Sequence, residues 1–210
     1  MASQPEIYLQ DFFTDFESYS TGNINGQGGW VGDGYFYVNT SASYGGGSKA
    51  AGNNSGQNGG AYRNINAKKI AKVTFAFNRD GAAPGSQHWV KLSNTTDLWG
   101  AVELFWYYDV GANAITVGGN LSASILLGGL SNGWHTFEIA FDITNKKKVW
   151  ARIDGGAWQE TNYTGSAASV TYLHFANLQG SCDFDYIGVY AGTYIEGGQP
   201  MFFDDSFALT

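Results

Sequence analysis

The sequence predicts an all-β fold, a sandwich of two antiparallel sheets, and three observations predict it. Residues 134–153 alternate as a hairpin. Phe137, Ile139 and Phe141 point one way and Thr136, Glu138 and Ala140 the other. After a polar turn at 142–147, Val149, Ala151 and Ile153 face inward while Trp150 and Arg152 face out. Asp154-Gly155 then supplies the dipeptide that suits a turn with two positive φ angles. Second, glycine reaches 30 residues and aromatics 16% of the chain, with Gly, Asn, Ser and Thr clustered between aromatic and β-branched runs. That composition describes many short strands and many turns. Third, no segment sustains a helical period. A length of 210 residues fits one sandwich-sized domain able to bury a substantial core.

Residues 1–10 read as an N-terminal arm, 11–190 as the sandwich and 191–210 as a C-terminal extension. The sandwich opens at 11–19, turns through a Gly-rich segment ending at Trp30, and continues with a strand at 35–38. Residues 43–61 are rich in Gly, Ser and Asn without apolar periodicity, which predicts a long loop. Strands follow at 71–77, 89–92, 101–110, 115–117 and 122–127, then the hairpin, then 170–175 and a closing strand at 183–190. Residues 201–209, which include Phe202 and Phe203, read as an additional strand that pairs at a sheet edge or with a neighbouring molecule.

The frame Phe16-Glu17, Tyr19, Gly22, Ile24, Gln27, Trp30 resembles the opening of bacterial and phage jelly-roll domains. The hairpin with Trp134-His135 at its start and Asp154-Gly155 at its end resembles the core of the laminin-G-like and concanavalin-A-like jelly-roll superfamily. The run Asp183 to Tyr190 resembles that family's closing strand, which usually pairs with its first. The resemblance implies a jelly-roll β-sandwich and a mainly binding or assembly architecture. It also gives His135 a structural role.

Composition excludes several classes. A net charge of −7 argues against a nucleic-acid partner, because phosphate binding needs clustered cations. The runs Lys68-Lys69 and Lys146–Lys148 read as solvated turns. No apolar run approaches the ~20 residues of a membrane span, so no membrane partner is expected. The polar, acidic start predicts no secretory leader. The single cysteine, Cys182, excludes an internal disulfide and reads as a small buried residue.

Candidate chemistry is sparse. Glycan hydrolases of the resembled family carry Glu-x-Asp-x-x-Glu on one strand, which is absent here. Glu103 and Asp109 are six apart. Lyases on this fold need a Tyr/His pair with Arg and Gln neighbours, and only His88, His135 and His174 are available. No histidines stand at metal-ligand spacing, and no Gly-x-Ser-x-Gly elbow occurs. The chain is therefore expected not to be an enzyme and to require no cofactor. The resemblance allows one structural calcium, with Glu17 near the first strand meeting Asp183 or Asp185 near the last. Aromatics carry the binding expectation. Trp150, Trp106 and Trp99 are candidate sugar platforms, and Tyr35, Tyr37, Trp106, Tyr108, Phe202 and Phe203 are candidate interface residues.

Two functional expectations follow, with a glycan hydrolase or lyase as a distant third. The first is a non-catalytic structural or adhesive protein of a virion surface, a capsid decoration protein or fibre domain. It would be a homo-oligomer, preferably a trimer, or would bind a capsid or fibre protein. The second is a carbohydrate-binding module, secreted or on a bacterial cell surface, with a polysaccharide partner.

Overall fold

A computed structural model describes residues 9–40, 43–53, 58–79, 85–178 and 183–192. Among them there is no α-helix, and two antiparallel sheets pack face to face. The strands are β1 (Leu9–Thr14), β2 (Gly22–Asn23), β3 (Trp30–Gly32), β4 (Phe36–Asn39), β5 (Ala50–Asn53), β6 (Gly59–Lys68), β7 (Ile70–Asn78) and β8 (Gln87–Ser93). They continue as β9 (Leu104–Asp109), β10 (Ala114–Gly119), β11 (Ile125–Gly128), β12 (Trp134–Asp142), β13 (Lys148–Ile153), β14 (Gln159–Asn162), β15 (Val170–Leu178) and β16 (Asp183–Ala191). The first sheet runs β14-β13-β12-β7-β16-β5-β4-β2, with β1 beside β16. The second runs β11-β10-β9-β8-β15-β6-β3. The fold is the expected jelly-roll sandwich, and first and closing strands pair as expected, Phe13 opposite Gly188 and Leu9 opposite Ala191.

Alternation builds the core. Val73, Phe75 and Phe77 of β7 and Phe137, Ile139 and Phe141 of β12 face inward from the first sheet. Leu104, Trp106 and Tyr108 of β9 and Leu173 and Phe175 of β15 meet them from the second. Phe75 lies at the centre, 5.3 Å from Trp106, 5.2 Å from Phe137 and 6.0 Å from Phe175 by ring centroid. Each such ring contributes about 1.5–3 kcal/mol by burial.

Two expectations are corrected. Residues 43–61 are not one loop, because β5 and the start of β6 lie within them. Ala50, Ala51, Gly52 and Gly59 to Ala61 are buried because they are small, so they fit between neighbours without showing an apolar period. Trp106 and Tyr108, expected as platform and interface, are wholly buried. Their strand is apolar on both faces, and pairing of Val90 and Val117 with Trp106 turns these two rings inward, leaving Phe105 and Tyr107 outside. The arm at 1–8, Cys182, and the C-terminal segment with Phe202 and Phe203 lie outside the described residues.

Candidate functional site

A cleft of about 480 Å³ opens on the outer face of the first sheet. Cross-strand register builds its axis. One row runs Phe13, Gly188, Thr74, Glu138, Arg152 across β1, β16, β7, β12 and β13. Beside it, Ala76 pairs with Thr136 and with Asp185. The floor is low because its residues are small. A Cβ at Gly188 would stand 2.7 Å from Thr74 Oγ1 and 2.6 Å from the Tyr190 ring.

One wall is aromatic. A bulge in β16 between Asp185 and Gly188 puts Tyr186 in a left-handed conformation, φ 48°. Bulges of this kind re-aim a side chain. Tyr186 packs edge-on against Phe13 at 5.6 Å and Tyr44 at 5.2 Å, and Tyr44 in turn meets Trp134 at 5.8 Å. Tyr44 comes from the loop between β4 and β5, which two carboxylates pin. Asp185 accepts from the amides of Tyr44 (2.9 Å) and Tyr186 (2.8 Å). Glu17 accepts from the Ser48 amide and hydroxyl and the Lys49 amide, each at 2.7 Å. Burial pushes the Asp185 carboxyl up to about 7, with Asp15 and Glu17 adding repulsion. The hydrogen bonds from Ser48 and Lys49 hold Glu17 below the usual range.

The other wall is charged. Glu138 accepts from Lys72 Nζ at 3.2 Å and from Arg152 Nε at 2.5 Å. The Arg152 guanidinium lies 4.5 Å from the Trp158 ring, and Lys72 Nζ lies 5.2 Å from that of Tyr190. These side chains are nearly buried, so the pairing is less screened than a surface one.

At the rim, Ser131 Oγ lies 3.2 Å from His135 Nε2, and His135 Nδ1 lies 2.7 Å from Asp154 Oδ2. These residue types at these distances resemble an acyl-transfer triad. The same Nε2 also lies 3.1 Å from the Ser131 carbonyl oxygen, so the ring meets the loop backbone as well as the hydroxyl. Asp154 also accepts from the Thr136 amide at 2.8 Å. The set therefore clips the 130–133 loop to the turn at Asp154 and Gly155, where both φ angles are positive.

The outer face of the second sheet is different. Tyr107 lies on Trp89 at 4.2 Å and Phe105 packs edge-on at 5.3 Å. Lys91 Nζ sits between the Trp89 and Trp99 rings, 4.9 and 5.0 Å away, and donates to the Leu98 carbonyl at 2.8 Å. Loop 94–103 is thereby drawn over this face. His174 beneath it contacts Ser93 Oγ and the Thr95 carbonyl through Nε2, and burial lowers its pKa to about 4. Glu103 and Asp109 flank β9, separated by about 20 Å of strand. Two acids that share a glycosidic bond stand within about 10 Å.

The sites expected from sequence are thus dispersed. Trp150 faces outward on the first sheet beside the charged wall but is nearly covered, its indole N–H donating to Glu160 at 3.0 Å. Trp99 is exposed in the loop over the opposite sheet, and Trp106 is in the core. Tyr35 is exposed just before β4 and Tyr37 is half-buried on it. Glu17 and Asp185 anchor the same loop, whereas Asp183 accepts from Asn39 at 2.8 Å. No group of three acidic, His or Cys residues able to hold a metal occurs among the described residues. The sequence reading turned Glu138 and Arg152 outward, but did not join them to Lys72. Their meeting follows from the hairpin register, in which Glu138 pairs with both Thr74 and Arg152.

No family model and no curated protein sequence matches the chain. Solved structures do. A conserved carbohydrate esterase from the Shiga toxin-encoding bacteriophage phi24B superposes with a TM-score of 0.62 at 19% identity, over 89% of this chain and 100% of that one. A non-specific endo-β-1,3(4)-glucanase of family GH16 gives 0.58 at 13%, over 92% and 94%. An endo-β-1,4-glucuronan lyase from the fungus Trichoderma reesei gives 0.54 at 12%, over 87% and 96%. At these identities the likeness is one of fold, a jelly-roll β-sandwich. It corrects the expectation that the chain is not an enzyme. That expectation leaned on the absence of the resembled family's catalytic motifs, and these neighbours of nearly full coverage point instead toward glycan-active enzymes.

Proposed function

We propose that this chain is a glycan-active jelly-roll domain that seats carbohydrate in the cleft over β16, β7, β12 and β13. The observation that carries the reading is the composition of that cleft. It has a floor of Gly188, Thr74, Ala76 and Thr136, aromatic rings along one side, and a carboxylate held between two cations on the other. Sugar rings present flat C–H faces to aromatic side chains and hydroxyls to charged ones, and a small-residue floor gives them room. Glu138 is the carboxylate placed to accept hydroxyl hydrogens from a bound sugar. The glycan-directed neighbours support the same reading.

The test is retention of the intact chain on a panel of immobilised polysaccharides. The same incubations are assayed for new reducing ends, released acyl groups and unsaturated sugars. Thr74→Trp, which fills the floor, is expected to lower retention at least about tenfold. Retention that survives this variant, or none on any polymer, counts against the cleft.

A second reading, a virion surface component such as a capsid decoration or fibre domain, is favoured by the phage source of a neighbour matched over its whole length. Light scattering across a dilution series tests it. A stable trimer supports it, and a monomer at every concentration counts against it.

A further inference from the structure

We infer that the cleft selects acidic glycans, with Arg152 and Lys72 receiving the carboxylate of a uronate-type or sialate-type residue. The inference rests on the reading of the cleft as a sugar site and narrows the class of sugar. Two cations line this wall against one carboxylate, Glu138, in a chain whose net charge is −7.

Arg152 is held in place before any ligand arrives. Its Nε donates to Glu138 Oε1 and its guanidinium carbon lies 4.5 Å from the centre of the Trp158 ring. Among the described residues its two terminal nitrogens make no hydrogen bond or ion pair, so a two-pronged donor remains available for a planar carboxylate. Lys72 Nζ donates to Glu138 Oε2 and keeps further N–H donors.

The other nearby acids are engaged elsewhere. Asp185 accepts from the Tyr44 and Tyr186 amides, Asp154 from Thr136 and His135, and Glu160 from Lys148 and Trp150. Glu138 itself bridges the two cations and orients them. A neutral sugar would leave the Arg152 fork without an anionic partner in a nearly buried wall. A carboxylate-bearing sugar would complete it.

The experiment compares matched polymers: polygalacturonate, glucuronan, alginate and polysialic acid, each against its carboxyl-reduced form, and a sulfated neutral glucan as an alternative anion. Binding to the full chain is measured by calorimetry. The expected result is at least about tenfold tighter binding to one or more acidic polymers than to the reduced partner, weakening with salt. Arg152→Gln is expected to abolish that difference. Arg152→Lys, which keeps the charge but not the fork, is expected to recover only part of it. A role of Arg152 in folding alone would lower binding to acidic and reduced forms together, so the ratio is the readout.

Equal binding of acidic and reduced polymers, with loss on Thr74→Trp, overturns the inference and leaves the cleft reading standing. So does preference for the sulfated glucan alone. A preference that persists in Arg152→Gln overturns the assignment to that residue. Binding to nothing, or binding indifferent to Thr74→Trp, overturns the cleft reading and this inference with it.

Discussion

The two outer faces of the sandwich obey the same alternation and end up as opposite surfaces. On the first sheet the outward positions near the centre are Gly188, Thr74, Ala76 and Thr136, and a cleft results. On the second they are Trp89, Phe105 and Tyr107, and the rings pack on one another instead. Gly118 marks the contrast: it serves there to admit the Phe105 ring, which would lie 2.6 Å from a Cβ. Charge differs as well. On the first face cations answer a carboxylate, while on the second Lys91 answers two indoles and a carbonyl. Size at the outward positions decides which face can take a ligand. Charge decides which ligand that face would prefer.

The largest expected effect comes from breaking the charged wall. Glu138→Leu leaves Lys72 and Arg152 nearly buried and without their shared partner. Removing one member of a buried ion pair costs about 3–5 kcal/mol, and the variant is expected to lose stability on that scale in urea denaturation. The matching change on the other face, Lys91→Met, removes a cation whose hydrogen bond goes to a carbonyl, with the Asp97 carboxylate acting on it only through space, and leaves its rings in place. About 1–2 kcal/mol is expected there, from one charge-assisted hydrogen bond and two cation–π contacts offset by relief of desolvation. Equal losses would mean that the faces do not differ electrostatically.

Much of this contrast was legible in the sequence. The alternation in 134–153 placed Glu138, Trp150 and Arg152 outside and Phe137, Ile139 and Phe141 inside, and the structure agrees. Asp154-Gly155 was legible because few other dipeptides accept two positive φ angles. Trp106 and Tyr108 were not, because alternation fixes two sets of residues and not which set faces the core. In a strand with rings on both faces, only the partner strands decide. The β5 strand was hidden because alanine and glycine pack by being small. The cleft was hidden for a related reason: its floor is a cross-strand row of small residues from distant parts of the chain. Tyr186 reaches the cleft through a bulge that no period announces.

The two faces should also respond to pH with opposite sign. Asp185, behind the tyrosine wall, is pushed up to about 7 when folded, against an ordinary 3.8. As pH rises through about 4 to 7 the unfolded chain releases this proton first, so this group's contribution to stability falls. His174, under loop 94–103, is lowered to about 4 from 6.5. As pH falls from about 6.5 to 4 the unfolded chain binds this proton first, so stability falls in that direction. Melting curves between pH 4 and 8 should therefore separate two variants. Asp185→Asn is expected to flatten the loss toward alkaline pH. His174→Gln is expected to lessen the loss toward acid only in part, because His88, also lowered to about 4 by burial between the sheets, has the same sign. A slope unchanged in Asp185→Asn would remove that carboxylate from the comparison.

The smallest effect separates exposure from function. Trp99 is 48% exposed and touches the second face through Lys91. Trp99→Ala should cost less than about 1 kcal/mol, the scale of one exposed cation–π contact with little buried area. Its consequence for glycan retention is the sharper measurement. An exposed indole on a sheet face is the feature by which a sugar platform would be sought in a sequence, yet Trp99 stands on the face that carries no cleft. If sugar enters the cleft of the first sheet, Trp99→Ala binds every polymer as the unaltered chain does, while Thr74→Trp, a change at an unremarkable threonine, does not. If Trp99→Ala alone loses retention, the ring-paved face is the binding face, and small outward residues made a cleft that sugar does not use.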